Sequence, residues 1–147
     1  MDGNQNKLVK STEGGSILSG EYAVQKNGQF LDAEITGDAN KIGVQQQNGN
    51  GGASLTIDID GSNNFVPTWQ DDNSGAADNS INITANGSDN FLKAIQDGPG
   101  NTTNITLNSV SNENDVRVNQ QSGGNTANVT IDGTNNQSIT CQNSTCL

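Results

Sequence analysis

The sequence predicts an all-β chain folded as a β-solenoid, with five strand-turn-strand repeats stacked at amyloid-like cross-β spacing. Three observations predict it. The first is a recurring pair, Asn followed six residues later by Gln, at Asn40/Gln46, Asn64/Gln70, Asn90/Gln96, Asn114/Gln120 and Asn136/Gln142; successive Asn are 24, 26, 24 and 22 residues apart. The second is alternation: Leu55, Ile57 and Ile59 alternate with Thr56, Asp58 and Asp60, the period of a strand with one buried face. The third is a shortage of apolar residues. Of 147 residues only 29% are hydrophobic and 3% aromatic, too few for an ordinary globular core but enough for the thin core that neighbouring solenoid rungs share.

Taken in order, residues 1–28 fit the repeat poorly. Ser19 and Gln25 keep the six-residue offset, yet the inward positions between them would be Glu21 and Ala23, and burying an unpaired Glu is costly. The segment is expected to be an N-terminal leader or a degenerate capping repeat; residues 8–25 have the 18-residue length of a sixth rung. Five rungs follow over residues 29–142, at 29–46, 53–70, 79–96, 103–120 and 125–142, joined by linkers rich in Asn, Gly, Asp and Ser. Each opens with a strand whose inward residues are Leu31/Ala33/Ile35, Leu55/Ile57/Ile59, Ile81/Ile83/Ala85, Ile105/Leu107/Ser109 and Ala127/Val129/Ile131. A turn cluster such as Gly61-Ser62-Asn63 then reverses the chain. The second strand carries Ile42/Val44, Val66/Thr68, Leu92/Ala94, Val116/Val118 and Ser138/Thr140 inward, between Asn and Gln. Pro67 falls inside one such strand, where it removes a donor that should pair with the next rung. Residues 143–147 form a tail. Cys141 and Cys146 could close a local disulfide, with free or intersubunit thiols as the alternative; two Cys without His leave too few ligands for zinc.

The residue types have a physical reason. Rungs about 4.8 Å apart place identical side chains in columns, and a side-chain amide offers both a donor and an acceptor. Inward Asn and Gln therefore make two amide ladders flanking an apolar column. A one-residue slip would turn them out to solvent, so the ladders fix register. Strict spacing within an 18-residue frame separates this pattern from a merely Asn/Gln-rich tract.

The outward positions hold fewer signals. Phe65 and Phe91 are equivalent, as are Trp69 and Ile95; they form either an exposed stripe for lateral association or a ladder that packs on itself. Seven N-x-S/T sequons, at Asn82, Asn86, Asn101, Asn104, Asn128, Asn136 and Asn143, are mostly what abundant Asn, Ser and Thr produce by chance. Asp58, Asp60, Asp71 and Asp72 match no calcium loop and read as solvated acidic surface.

The unit N-x-[apolar]-x-[apolar or small]-x-Q, joined by about four turn residues to a preceding strand of equal length, resembles the repeat of the curlin family, the subunits of bacterial curli fibres. The likeness spans Gln29 to Gln142; its second half matches in every copy. The first half departs, with Gln29, Ala53, Asn79, Thr103 and Asn125 at the Ser positions and Ile35, Ile59, Ala85, Ser109 and Ile131 at the first Gln positions. The resemblance implies a secreted subunit of an extracellular functional amyloid, polymerising with itself, passing an outer-membrane pore, meeting a nucleator subunit and serving biofilm and adhesion. The alternative is a soluble solenoid whose outer Thr56, Thr84, Thr106 and Thr130 meet ice or a polysaccharide.

Composition bounds the remaining classes. Six Lys and Arg against sixteen Asp and Glu give −10, the wrong sign for nucleic acid or an anionic membrane. No apolar run approaches a membrane-spanning length, and the N-terminus lacks a signal-peptide core, so a secreted chain is expected here in mature form. With no His, no nucleophile-base pair and no phosphate loop, neither enzyme activity nor a cofactor is expected.

Overall fold

The computed structural model describes residues 1, 5–9, 30–47, 53–71, 78–108 and 111–143. Its elements are β1 (Lys7–Val9), β2 (Asp32–Ala33), β3 (Lys41–Gln47), β4 (Ser54–Ile57), β5 (Phe65–Asp71), β6 (Ser80–Ala85), β7 (Phe91–Asp97), β8 (Thr102–Leu107), β9 (Asp115–Gln121), β10 (Thr126–Ile131) and β11 (Gln137–Gln142). The odd-numbered strands form one sheet in the order β1-β3-β5-β7-β9-β11, and the even ones another, β10-β8-β6-β4-β2. Every pairing is parallel. The chain is thus a β-solenoid in which each even strand turns into the following odd strand.

The apolar residues that alternate in sequence meet between the two sheets. From the even sheet come Leu55, Ile57, Ile81, Ile83, Ile105 and Leu107; from the odd sheet Ile42, Val44, Val66, Leu92, Val116 and Val118, all buried. The core is one side-chain layer thick, which is why so few hydrophobic residues suffice.

The turns stack as strictly as the strands. Ala39, Asn63, Asp89, Glu113 and Asn135 all take left-handed φ, between 56° and 59°, and each immediately precedes a ladder Asn. Gln5 shares that conformation at φ 63° and precedes Asn6. Lys7, Leu8 and Val9 accordingly pair with Lys41, Ile42 and Gly43, so the odd sheet gains a sixth strand. Leu8 stands as the equivalent of Ile42, not as the start of a rung over 8–25; Ser19 and Gln25 lie outside the described residues.

The fourth rung corrects the expected frame. Thr103, Ile105 and Leu107 pair with Ile81, Ile83 and Ala85, and with Ala127, Val129 and Ile131, so this rung begins at Asn101 and Leu107 takes the place expected for Ser109, which lies outside the described residues. The 18-residue frame erred by two because a two-residue shift preserves which residues face inward, leaving no trace in the alternation. Pro67 leaves its expected mark: β5 pairs with β7 at Phe65 and from Thr68 to Asp71, skipping Val66 and Pro67, where the missing N–H interrupts the ladder.

Close stacking also explains the turn glycines. A Cβ on Gly87 would lie 1.7 Å from the Ser111 carbonyl oxygen, whereas one on Gly124 (φ +77°) meets nothing within 4 Å. Gly87→Ala is expected to cost about 3 kcal/mol through overpacking and Gly124→Ala about 1 kcal/mol through backbone strain. Urea unfolding of the two variants checks the order; equal losses would mean that the turns are not packed against one another.

Candidate functional site

The ten sequence-predicted amides occupy two columns, one at each margin of the odd sheet's inner face. Gln46, Gln70, Gln96, Gln120 and Gln142 are in strand register. Each Nε2 donates to the Oε1 of the next: Gln46 to Gln70 at 2.6 Å, Gln70 to Gln96 at 2.8 Å, Gln96 to Gln120 at 3.1 Å and Gln120 to Gln142 at 2.7 Å. The second hydrogen of each amide crosses the core to its own rung's first strand, reaching the carbonyls of Phe30, Ser54, Ser80, Thr102 and Thr126. The Gln column thereby ties rung to rung and sheet to sheet.

The Asn column runs the other way and involves the backbone. Asn64, Asn90 and Asn114 each donate Nδ2 to the preceding Asn Oδ1 at 3.0 to 3.1 Å. The same oxygen accepts the backbone N–H of the following Asn, from Asn6–Asn40 through Asn114–Asn136. Nδ2 also donates forward to a turn carbonyl of the next rung, as Asn40 to Gly61, Asn64 to Gly87, Asn90 to Ser111 and Asn114 to Gly133. Among the described residues Asn136 enters only through its backbone N–H, and it is exposed.

Sequence reasoning missed a third column. Asn79, Asn101 and Asn125 precede β6, β8 and β10; Asn101 donates its backbone N–H to Asn79 Oδ1 at 2.8 Å, and Asn125 donates both backbone N–H and Nδ2 to Asn101 Oδ1 at 3.0 Å. Asn143 extends it, donating to Asn125 Oδ1 at 3.0 Å. The signal was present as Asn spaced 22 and 24 residues apart, but the 18-residue frame placed Thr103 where Asn101 belongs. Thr103 instead lies inward, donating its hydroxyl to Gln120 Oε1 at 2.7 Å.

The expected apolar stripe is not exposed. Trp69 and Ile95 are 3% and 4% exposed, held in one column between Gln45 and Asn119, where in-register neighbours lie against both faces of each side chain. Phe65 and Phe91 are half-buried and stack at 5.5 Å with 24° between planes. Lys41 Nζ covers one ring at 5.6 Å and the Arg117 guanidinium the other at 5.2 Å. This is the self-packing alternative, fastened by cations.

Cys141 is disulfide-bonded; Cys146, the other cysteine of the sequence, lies outside the described residues. Asp58 and Asp60 face outward beside Glu34 around a hollow of about 260 Å³, while Asp71 stands on the odd sheet and Asp72 lies outside the described residues. Among the described residues no group of three or more His, Cys, Asp or Glu is placed to hold a metal, and no helix is long and apolar enough to cross a membrane. No family model matches the chain, and no curated protein or solved structure matches it either.

The columns make a direct prediction. Asn90 and Gln96 are 1% and 0% exposed, so Asn90→Asp with Gln96→Glu replaces donors by carboxylates that burial drives toward the neutral form. Their folded pKa values would lie above the unfolded ones of roughly 4. The variant should approach wild-type stability below about pH 4 and lose it as pH rises through the higher folded values. Asn82→Asp with Asn86→Asp, at exposed positions, should stay within about 0.5 kcal/mol of wild type. Chemical denaturation from pH 3 to 8 tests this, and equal losses in both variants would refute the inward placement.

Proposed function

We propose that the chain is a structural subunit of an extracellular, curlin-like fibre, growing by end-to-end association with further copies of itself. The observation that carries the reading is the state of the last rung. Both hydrogens of every earlier column Gln are engaged, one on the next Gln and one across the core. Gln142 spends one on Thr126 at 2.9 Å, and among the described residues nothing receives the other. Asn136 Oδ1 occupies the place where five earlier Asn accept the backbone N–H of the following Asn, and among the described residues it accepts nothing. Beside these groups run the outer edges of β10 and β11, which no further strand pairs among the described residues, and Val129, Ile131, Ser138 and Thr140 are only half-buried. An open parallel edge of this kind is a template for another strand.

At the opposite end β1 supplies a matching surface. Asn6 Oδ1 accepts from Asn40 what Asn40 Oδ1 accepts from Asn64, so an Asn6 stacked on Asn136 would continue the same column. Backbone edges bind without sequence preference, and the amides supply the register. Export through an outer-membrane pore, a nucleating partner and a place in biofilm matrix follow from the curlin resemblance as parts of the same proposal.

One observation favours a second reading, a soluble binding solenoid. The outward residues of β6, β8 and β10 repeat as Ser80/Asn82/Thr84, Thr102/Asn104/Thr106 and Thr126/Asn128/Thr130 in register, an uncharged array suited to ice or a polysaccharide. Thr56 aligns with Asn82 rather than with the Thr column.

Purified protein at neutral pH is expected to form unbranched filaments with fibre reflections near 4.7–4.8 Å and about 10 Å. Six odd-sheet strands at roughly 4.8 Å give an axial advance of about 29 Å per subunit. Electron microscopy and fibre diffraction measure both. A chain that stays monomeric under seeding and agitation would overturn the fibre reading in favour of the binding solenoid.

A further inference from the structure

The two outer faces of the solenoid differ in charge. The Lys and Arg side chains among the described residues, Lys7, Lys41, Lys93 and Arg117, all belong to the odd sheet. They stand as two like-charged cross-strand pairs, Lys7 opposite Lys41 and Lys93 opposite Arg117. Like charges directly opposite each other destabilise a sheet, and in a chain with sixteen acids their clustering on one face is not what random placement gives. Arg117 is partly relieved by Asp115 on its own strand, at 2.8 Å. Among the described residues Lys93 has no ion-pair partner, and burial together with the neighbouring Arg117 holds its pKa below the ordinary lysine value. The odd sheet's other acids, Asp71 and Asp97, sit at the C-terminal ends of β5 and β7. A shallow groove beside the cations is lined by Ile95, Ile139 and Cys141, and Ile139 is 45% exposed.

The outer face of the even sheet is the complement. Asp32 on β2, Glu34 following it, Asp58 and Asp60 beyond β4, and Asp132 beyond β10 are all exposed. No Lys or Arg among the described residues stands on that face. Glu34, Asp58 and Asp60 border the hollow that Thr36 and Asn86 complete.

We propose that the outer face of the odd sheet around Lys93 and Arg117 docks, side by side, on the outer face of the even sheet around Glu34, Asp58 and Asp60 of a second copy of this chain. The occupant is chosen by charge complementarity: a cationic patch with an unneutralised lysine, on a strongly acidic chain, meets its counterpart on the opposite face of that same chain. The cations stand on the third and fourth rungs and the acids on the first and second, so the copies are offset by about two rungs, roughly 10 Å. In a filament advancing six strands per subunit, the same offset sets Lys41 against Asp132 of the subunit stacked before. The contact is heterologous and does not close on itself, so repetition gives flat rafts of parallel filaments. It adds a lateral surface to the end-to-end one and does not require it.

Charge-swapped variants test the contact. Lys93→Glu with Arg117→Glu makes the odd face acidic; Asp58→Lys with Asp60→Lys makes the even face basic. All four positions face outward, and circular dichroism verifies that both variants fold. The wild type should form rafts that disperse to single filaments at about 1 M salt, where the screening length is about 3 Å. The Lys93/Arg117 variant alone should show at least tenfold fewer rafts by electron microscopy, and mixing the two variants should restore them with both proteins in the same raft. The mixture separates the contact from net charge, which mixing only averages. If either form makes no filaments, sedimentation velocity of the soluble mixture should still show a complex between the two variants that the Lys93/Arg117 variant alone lacks. Rafts undiminished in that variant, or a mixture that associates no more than that variant alone, would overturn the proposal whatever the outcome for end-to-end growth.

Discussion

A primary amide buried beside an apolar core must find partners for two hydrogens and one oxygen, and in this molecule the missing partners lie one rung above and one rung below. Everything else in the architecture follows that constraint. An unsatisfied buried amide group costs roughly 1–3 kcal/mol, and eight of the ten column amides in the sequence pattern are buried, so any register that separates them is heavily penalised. The apolar columns between them carry most of the burial but tolerate exchange among Ile, Val, Leu, Ala and Thr, because a hydrophobic contact is not directional.

The two columns do different mechanical work. In the Gln column one hydrogen runs along the stack and the other crosses to the opposite sheet, so the side chain closes the open margin of each rung. In the Asn column the oxygen collects a backbone N–H and a side-chain N–H from the next rung, fixing the turn as well as the strand. The left-handed residue before each Asn aims that backbone N–H at the oxygen below it. Because each Gln donates to the Gln of the C-terminal rung while each Asn oxygen accepts from the Asn of that rung, the stack has a direction and its two ends are chemically distinct. That distinction is what the proposed head-to-tail growth rests on.

The same parallel stacking governs the exterior. A column that repeats one position lets cations, acids or aromatics accumulate along a face rather than disperse. The Phe65–Phe91 stack with Lys41 and Arg117 over its rings, the acidic margin at Glu34, Asp58 and Asp60, and the Asn104–Asn128 hydrogen bond on the outer even face are three outcomes of that geometry. Whether such a column is offered to a partner or consumed internally depends on what lies beside it.

How much was legible in the sequence divides along the same physical line. Alternation of Leu55, Ile57 and Ile59 with polar neighbours fixes which residues face inward, and the six-residue Asn-to-Gln offset fixes which amides stack; both are local periodicities of one strand, so the all-β solenoid and its ten column residues could be read without coordinates. What only the tertiary structure decided involves relations between strands. The fourth rung starts at Asn101 rather than Thr103 because a two-residue shift leaves the inward face unchanged and is settled only by Asn101 bonding Asn79. Asn6 becomes a column residue although no Gln stands six positions later, since a strand added at the end of a stack needs only the half that meets its neighbour. Trp69 and Ile95 read as outward and prove to be hidden, because facing away from the core sets a side chain's direction while its exposure is set by the residues stacked above, below and beside it.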